Sequence, residues 1–229
     1  MKRAFPIFAV LTALLLSYAL YQALVVAPTE QTMGDVQRIF YYHVPSAWTA
    51  FLLFAINFVA SIVYLIRRNA KADAVAVSAA EIGVVFCTVV LVTGPLWARP
   101  VWGIWWTWDL RLTSTLVMWL IYVSYLMLRR FTTGGQAPVL AAALAVFGAL
   151  DMPLVYFSIW FFRTQHPQPV IGGGGSIDPR MLHTLLINWA AFLCFGGLVF
   201  WSRYRLEVLQ QGVDEAQALE SLLEPRSSR

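Results

Sequence analysis

Six long apolar stretches constrain the fold of this chain more than any other feature. A helix that crosses the hydrocarbon core of a bilayer needs about 20 mostly apolar residues. The chain is 59% hydrophobic and 12% charged, which excludes an ordinary soluble domain, where about a quarter of the residues are charged. The sequence therefore predicts an all-α, polytopic membrane protein with six transmembrane helices. The predicted spans are residues 5–27, 46–66, 74–97, 113–128, 139–161 and 181–201.

The ends of the chain set the predicted domain organisation. The apolar run after Lys2 and Arg3 exceeds the apolar part of a signal peptide, about 7–15 residues, so we expect an uncleaved first span. The fourth span is short and is expected to begin a few residues earlier. After Trp201 the sequence becomes amphiphilic and acidic. We therefore predict a six-span membrane domain (1–205) followed by a cytoplasmic tail (206–229).

Basic residues near the span ends are unevenly divided between the two sides. Nine flank the spans on one side: Lys2, Arg3, Arg67, Arg68, Lys71, Arg129, Arg130, Arg203 and Arg205. Five flank them on the other side: Arg38, Arg99, Arg111, Arg163 and Arg180. Because Lys and Arg concentrate on the cytoplasmic side, both termini are expected to be cytoplasmic. The net charge of +4 follows from this bias and gives no reason to invoke nucleic acid, whereas the outer arginines indicate an anionic ligand.

A tryptophan cluster lies between the third and fourth spans. Its four indoles belong to Trp102, Trp105, Trp106 and Trp108. If the segment is helical, Trp102, Trp105 and Trp106 share one face with Asp109, and Trp108 flanks that face. Such a surface suits a large planar ligand, and the alternative is an interfacial aromatic belt. The carboxylate of Asp109 is expected to pair with Arg111 or the backbone and to shape the plate or a partner's docking surface.

The number of crossings places the three histidines on the same side as the tryptophans. His43 precedes the second span and is followed by Pro45, which suits the first turn of a helix. His166 follows the fifth span and precedes a proline, which favours an extended backbone. A neutral imidazole binds iron well, so these two are candidate metal ligands, although each alone could be an ordinary helix-end residue. His183 opens the sixth span and lacks the aromatic and proline setting of the others.

These residues carry a resemblance to a known family. The run from Trp102 to Ser114 resembles the WWD signature of membrane haem-handling proteins, in the WGxWWxWDxRLTS form of the CcmC branch. The stretches HVPSAW (43–48), TGPLWARPVWG (93–103) and SIDP (176–179) are similar to the same branch. The sequence departs from the pattern at Phe161, Phe162 and Gln165, where the family has two tryptophans and a leucine. These departures concern the shape of the pocket wall.

The resemblance implies a function. It matches His43 and His166 to the two haem-iron ligands and assigns haem b to the tryptophan platform, with Arg38, Arg111 and Arg163 as the nearest cationic partners for the propionates. It also implies delivery of haem to the chaperone CcmE, together with an ABC-type complex of CcmA, CcmB and CcmD. The site would lie on the periplasmic side of a bacterial inner membrane. No catalytic acid, base or nucleophile is identified, so we expect a haem-binding and delivery protein rather than an enzyme.

Two other functions remain open at this stage. One is a haem lyase component of the CcmF or CcsA kind, against which the length and the RLTS ending (111–114) argue. The other is a b-type haem subunit of an electron-transfer complex, a class that commonly places paired histidines within its spans. In the present sequence His43 and His166 lie at span ends.

Four further residues within the spans are predicted to be structural. Glu81 and Asp151 are costly charges in a bilayer, and Asp151 precedes Pro153, so it is expected to bond backbone groups freed at a kink. Cys87 and Cys194 lack a CxxC or CxxCH setting and are expected to be core residues.

Overall fold

The computed structural model describes residues 4–132, 135–162, 164–167 and 177–223. Within these ranges the chain is helical and contains no strand, which confirms the all-α prediction. The helices are α1 (Ala4–Tyr21), α2 (Phe40–Arg67), α3 (Ala70–Trp102), α4 (Leu110–Phe131), α5 (Ala137–Gly148), α6 (Asp151–Phe161) and α7 (Pro179–Leu223). A π-helical turn at Gln22–Val26 extends α1, and a 3-10 turn at Asp35–Ile39 leads into α2.

Six helical segments of the described chain are long and apolar enough to span a membrane, which confirms the predicted number. They are Ala4–Val26, Asp35–Arg67, Ala70–Trp102, Leu110–Phe131, Ala137–Phe161 and Pro179–Ser221. The fourth begins at Leu110, a few residues before the predicted start, as expected. The last helix, α7, has 45 residues and is about 67 Å long at 1.5 Å per residue. It therefore extends well beyond a hydrocarbon core of about 30 Å, and the predicted domain boundary at 205/206 falls within it.

A two-residue turn makes α2 and α3 an antiparallel hairpin. Arg68 has φ 52°, in the left-handed region, and the side chain of Asn69 accepts a hydrogen bond from the Lys71 amide at 2.8 Å. The chain therefore reverses immediately, and the beginning of α2 lies beside the end of α3. Helix α7 packs against α1, α2 and α3, while α4 packs against α3, α5 and α6.

The centre of the bundle depends on a close approach of α2, α3 and α4. Phe54 on α2 is fully buried and stacks on Tyr122 of α4, with ring centroids 3.8 Å apart. A Cβ atom on Gly83 of α3 would lie 2.6 Å from Phe54 Cε1. The missing side chain at Gly83 therefore lets the Phe54 ring lie directly against the α3 backbone.

Ion pairs join α3, α4 and α7 at one end of the bundle. The Arg129 guanidinium contacts both carboxylate oxygens of Asp73, at 2.5 and 2.8 Å. Arg203 pairs with Glu81, and it also donates to Glu207 at 2.9 Å. Charges that would be costly alone in a membrane are thus neutralised by a partner, and the paired Glu81 agrees with the predicted structural role.

The fifth span is interrupted at its middle. Helix α5 ends at Gly148, and α6 begins at Asp151 with Pro153 in its first turn. Oδ2 of Asp151 is buried and has no hydrogen-bond partner in the described part of the chain, and α6 has no side-chain cap at its first turn. The kink is therefore present, but the predicted capping of the freed backbone by Asp151 is wrong in this structure.

Candidate functional site

A pocket lies where α2 begins, α3 ends and α4 begins, at the end of the bundle opposite the ion pairs. The space between its walls, including the open mouth, is about 720 Å³. The polar and aromatic side chains that line it are His43, Phe51, Trp97, Trp102, Trp106, Arg111, Thr115 and His166. The remaining walls are mostly apolar and include the buried Cys87. The pocket thus combines an apolar interior with a few convergent polar groups.

His43 lies in the first turn of α2, where Pro45 follows it. Its Nδ1 atom lies 2.9 Å from Oγ1 of Thr93, on the last third of α3. A Cβ atom on Gly94 would lie 3.5 Å from Cε1 of His43, so the imidazole edge is close to the α3 backbone. The hairpin of α2 and α3 therefore fixes the position of this ring.

His166 lies in the segment between α6 and α7. Its Nδ1 donates a hydrogen bond to the Pro167 carbonyl oxygen at 2.9 Å, because a carbonyl can only accept. Burial, reinforced by the nearby Arg111 guanidinium, lowers the pKa of His166 from 6.5 to about 3. The ring is therefore neutral at physiological pH, and its Nε2 retains a lone pair.

The two imidazoles meet across the pocket although 122 residues separate them in the chain. Their ring centroids are 6.5 Å apart and their planes make an angle of 33°. Two imidazoles at this separation can contact one metal centre from different sides. His183 is exposed on α7 and does not line the pocket, so the structure brings together His43 and His166 but not the third histidine.

The tryptophan cluster is not the continuous helix on which the one-face prediction depended. Helix α3 ends at Trp102, Gly103 has φ 78°, and α4 starts only after Asp109. Trp102 and Trp106 line the pocket, whereas Trp105 and Trp108 are 56% and 77% exposed and lie outside its lining. The helix breaks at Gly103, whose φ an L-residue rarely adopts, so the four indoles do not share one helical face. Trp102 and Trp106 form an inner pair at the pocket, and Trp105 and Trp108 form an exposed outer pair.

Trp97 is a pocket residue that sequence reasoning did not single out. It lies on α3, and its ring centroid is 6.3 Å from that of Trp102. The indole Nε1 atoms of Trp97 and Trp106 are buried and have no hydrogen-bond partner among the described residues. Trp97 falls within the TGPLWARPVWG stretch, so the motif contained the signal, but only the fold shows that its ring joins the wall.

Asp109 connects the tryptophan segment to the loop of His166. Its Oδ1 accepts from the Leu112 amide at 2.9 Å and caps α4. Its Oδ2 accepts from the Thr107 hydroxyl at 3.0 Å and from the Gln165 amide at 3.1 Å. Of the two partners expected from the sequence, the structure shows the backbone.

The candidate arginines have different surroundings. Arg111 lines the pocket and donates to the Val155 carbonyl at 3.2 Å. Arg38 lies outside the pocket lining: it donates to the Ala23 carbonyl at 2.7 Å and pairs with Asp35. Arg163 lies outside the described residues. Arg111 is therefore the described arginine that supplies positive charge to this pocket.

Comparisons with known proteins give a consistent result. The model of the family "CcmC: Heme exporter protein C" matches residues 1–219. Heme exporter protein C of Bradyrhizobium diazoefficiens is 35% identical over 222 residues, 96% of this chain and 84% of that protein. Heme exporter protein C of Escherichia coli K12 is 34% identical over 184 residues, 80% and 75% of the two chains. A putative cytochrome c biosynthesis ccmC-like mitochondrial protein of Marchantia polymorpha is 32% identical, covering 81% of this chain and 80% of that protein.

The role of Asp109 in holding the His166 loop can be tested by Asp109→Asn. Asparagine also caps helices well, so α4 should stay intact while an amide nitrogen replaces the acceptor that faces the Gln165 amide. Loss of a bond worth about 1 kcal/mol should accelerate hydrogen exchange in a peptide containing Gln165 roughly fivefold.

The matched control is Asp178→Asn, because Asp178 accepts from the Arg180 amide at the start of α7 and has no hydrogen bond to the described residues 164–167 of the His166 loop. Unchanged exchange at Gln165 in Asp109→Asn would contradict the connection.

Proposed function

This chain belongs to the heme exporter protein C (CcmC) family, and we propose that it binds haem between His43 and His166 and delivers it to the chaperone CcmE. At the level of the family, it is a multi-pass membrane protein with a role in haem transport and cytochrome c biogenesis. Beyond this family role, we propose which residues bind the haem and which residues contact CcmE during delivery.

The short distance between the two imidazoles is the observation that carries the proposal. Nδ1 of His43 contacts Thr93 and Nδ1 of His166 contacts Pro167, which leaves Nε2 of each ring for a ligand. Metal–imidazole bonds are about 2 Å long, so two rings on opposite sides of one ion have centroids roughly 6 Å apart. The 6.5 Å separation of His43 and His166 suits ligation of one iron.

The pocket walls also fit haem. Trp102 and Trp106 supply aromatic surface for the apolar porphyrin. Arg111 supplies a guanidinium, which is well suited to a carboxylate such as a propionate. The unpartnered Nε1–H groups of Trp97 and Trp106 are two further donors, and an unsatisfied buried donor is costly unless a ligand accepts from it.

The outer pair of tryptophans suits the delivery step. Trp105 and Trp108 are exposed beside the pocket, and exposed aromatic side chains favour protein contacts. We assign them to the surface that meets CcmE, while Trp102 and Trp106 hold the cargo. This division refines the sequence-based expectation that all four indoles stack on haem.

The proposed setting is the inner membrane of a bacterium, with the haem pocket on the periplasmic side. The basic residues Arg67, Arg68 and Lys71 lie at the opposite end of the α2–α3 hairpin from His43. Because basic residues concentrate on the cytoplasmic side of a membrane, this arrangement favours a periplasmic position for His43. We further propose that the protein works with CcmA, CcmB and CcmD, that its cargo is haem b, and that it acts by binding and delivery rather than catalysis.

The ligand assignment predicts a loss of haem in two single variants. His43→Ala and His166→Ala should each reduce the haem that copurifies with the protein, and should convert a six-coordinate absorption spectrum to a five-coordinate one, because each removes one axial nitrogen. His183→Ala is the control, since His183 is exposed outside the pocket. Wild-type haem content and spectra in both His43→Ala and His166→Ala would rule out this pair of ligands.

The division between inner and outer tryptophans predicts different defects in two double variants. Replacing Trp102 and Trp106 by alanine should remove most copurified haem, because each aromatic contact contributes about 0.5–1.5 kcal/mol beyond its buried area. Replacing Trp105 and Trp108 should leave haem bound but lower the covalent haem on CcmE in the same membranes. If the second variant loses as much haem as the first, all four indoles hold the cargo and the division is incorrect.

The orientation can be tested by labelling single cysteines from outside. Ile104→Cys and Lys71→Cys are placed at exposed sites on opposite ends of α3, in a protein whose Cys87 and Cys194 are replaced by alanine. An impermeant thiol reagent should label position 104 in intact spheroplasts and position 71 only after lysis. The opposite pattern would place the pocket on the cytoplasmic side.

A further inference from the structure

Thr93 contacts both His43 and the backbone of its own helix. Its Oγ1 atom lies 2.9 Å from Nδ1 of His43 and 2.6 Å from the carbonyl oxygen of Val89, one turn earlier on α3. In the sequence Thr93 is the first residue of the TGPLWARPVWG stretch. The haem-binding proposal uses the imidazole of His43 but assigns no role to this hydroxyl.

The two distances determine where the protons lie. A carbonyl oxygen can only accept, so the 2.6 Å contact with Val89 requires that the Thr93 hydroxyl donates its single proton there. The Thr93 oxygen can then only accept from His43, and the 2.9 Å contact requires a proton on Nδ1. In the neutral imidazole the other nitrogen, Nε2, is consequently the one with the free lone pair.

We propose that Thr93 is a positioning residue that holds His43 in the Nδ1-protonated tautomer, so that Nε2 is presented to the haem iron. The inference rests on the proposed function, because it concerns how one proposed ligand is prepared. A hydrogen bond from the second ring nitrogen of a metal-binding histidine fixes its orientation and increases its basicity. The Val89 carbonyl, the Thr93 hydroxyl and the His43 ring form the chain of hydrogen bonds that does this.

The surroundings of His43 support a positioning role for the hydroxyl. A bulky side chain at position 94 would approach the ring, since a Cβ there already lies 3.5 Å from Cε1. Gly94 therefore leaves the ring edge free to reach Thr93. The hydrogen bond also joins α2 to α3, so the ring orientation depends on the hairpin and not on α2 alone.

Thr88 provides a matched control on the same helix. Its hydroxyl donates to the Val84 carbonyl at 2.7 Å and accepts from Nε1–H of Trp119 at 2.8 Å. It thus makes the same two kinds of hydrogen bond as Thr93, but its aromatic partner is Trp119, which does not line the pocket, and not His43. A valine at either position removes the hydroxyl while keeping the shape of the side chain, so the two variants differ only in which aromatic ring loses its acceptor.

The first experiment measures haem binding by the full-length protein in nanodiscs, titrated with ferric haem. Thr93→Val should weaken binding about 10–100-fold, the loss typical of removing such a hydrogen-bond partner. It should also shift the midpoint potential of the bound haem to a more positive value, because a less basic ligand stabilises ferric iron less. Thr93→Ser should restore both properties, and Thr88→Val should behave as the wild type.

The second experiment examines the protein without haem and has a readout that a general packing defect would not produce. In ¹⁵N-histidine spectra of the wild-type apoprotein, His43 should give the signals of a single tautomer protonated at Nδ1. Thr93→Val should give a mixture of tautomers, and Thr93→Ser should again give one. Only three histidines are present, so His166→Ala and His183→Ala identify the remaining signals.

The outcomes separate this inference from the proposed function. Wild-type affinity, potential and tautomer in Thr93→Val would overturn the role of Thr93, as would an equal loss of affinity in Thr88→Val. Failure of the wild-type protein to bind ferric haem, or unchanged binding in His43→Ala, would instead overturn the proposed function. In that case the tautomer spectra of the apoprotein would still support or contradict the hydrogen bond between Thr93 and His43.

Discussion

The antiparallel pairing of α2 and α3 is the constraint on which the pocket depends. Because the chain reverses within two residues at Arg68 and Asn69, the start of one long helix must lie beside the end of the other. This places His43 next to Thr93 without any contribution from the loops at that end. Gly83 then sets how closely the two helices approach, since the Phe54 ring occupies the space of its missing side chain. The histidine is therefore positioned by helix packing throughout the length of the hairpin.

The polar groups of the bundle are separated into two ends with different chemistry. At one end, Arg129 and Arg203 of α4 and α7 pair with Asp73 and Glu81 of α3. At the other end, Arg111 lines the pocket and bonds to the neutral Val155 carbonyl. A guanidinium that has a carbonyl but no carboxylate as its partner retains its positive charge for an anion. Arg111 therefore supplies positive charge to the pocket that the histidines line.

The sequence predicts the helices of this protein well because their determinants are local. Apolar length alone identifies six spans, and counting crossings brings His43 and His166 to one side, since neither inference needs a tertiary contact. The pocket is different. Trp97 and Gly94 line it and Thr93 contacts its His43 ring through the packing of α3 against α2, which no local pattern encodes. The helical interpretation of the tryptophan cluster failed at Gly103, where a left-handed residue ends α3. Glycine in that role cannot be told from an ordinary helical glycine without knowledge of the turn that follows it.

The two proposed ligands are held by structures of unequal stiffness. His43 belongs to a membrane-spanning helix, and its ring is fixed to a second one through Thr93, so displacing it requires moving α2 relative to α3. His166 belongs to a loop segment of which residues 164–167 are described; there the Gln165 amide donates to Asp109, and the His166 ring donates to the neighbouring Pro167 carbonyl. Displacing it requires breaking loop contacts alone. A site for haem delivery must bind its cargo firmly and also release it. In this proposal His43 meets the first requirement and His166 meets the second. Asp109 connects the loop of His166 to the bundle, because its Oδ1 atom caps α4 while its Oδ2 atom accepts from the Gln165 amide.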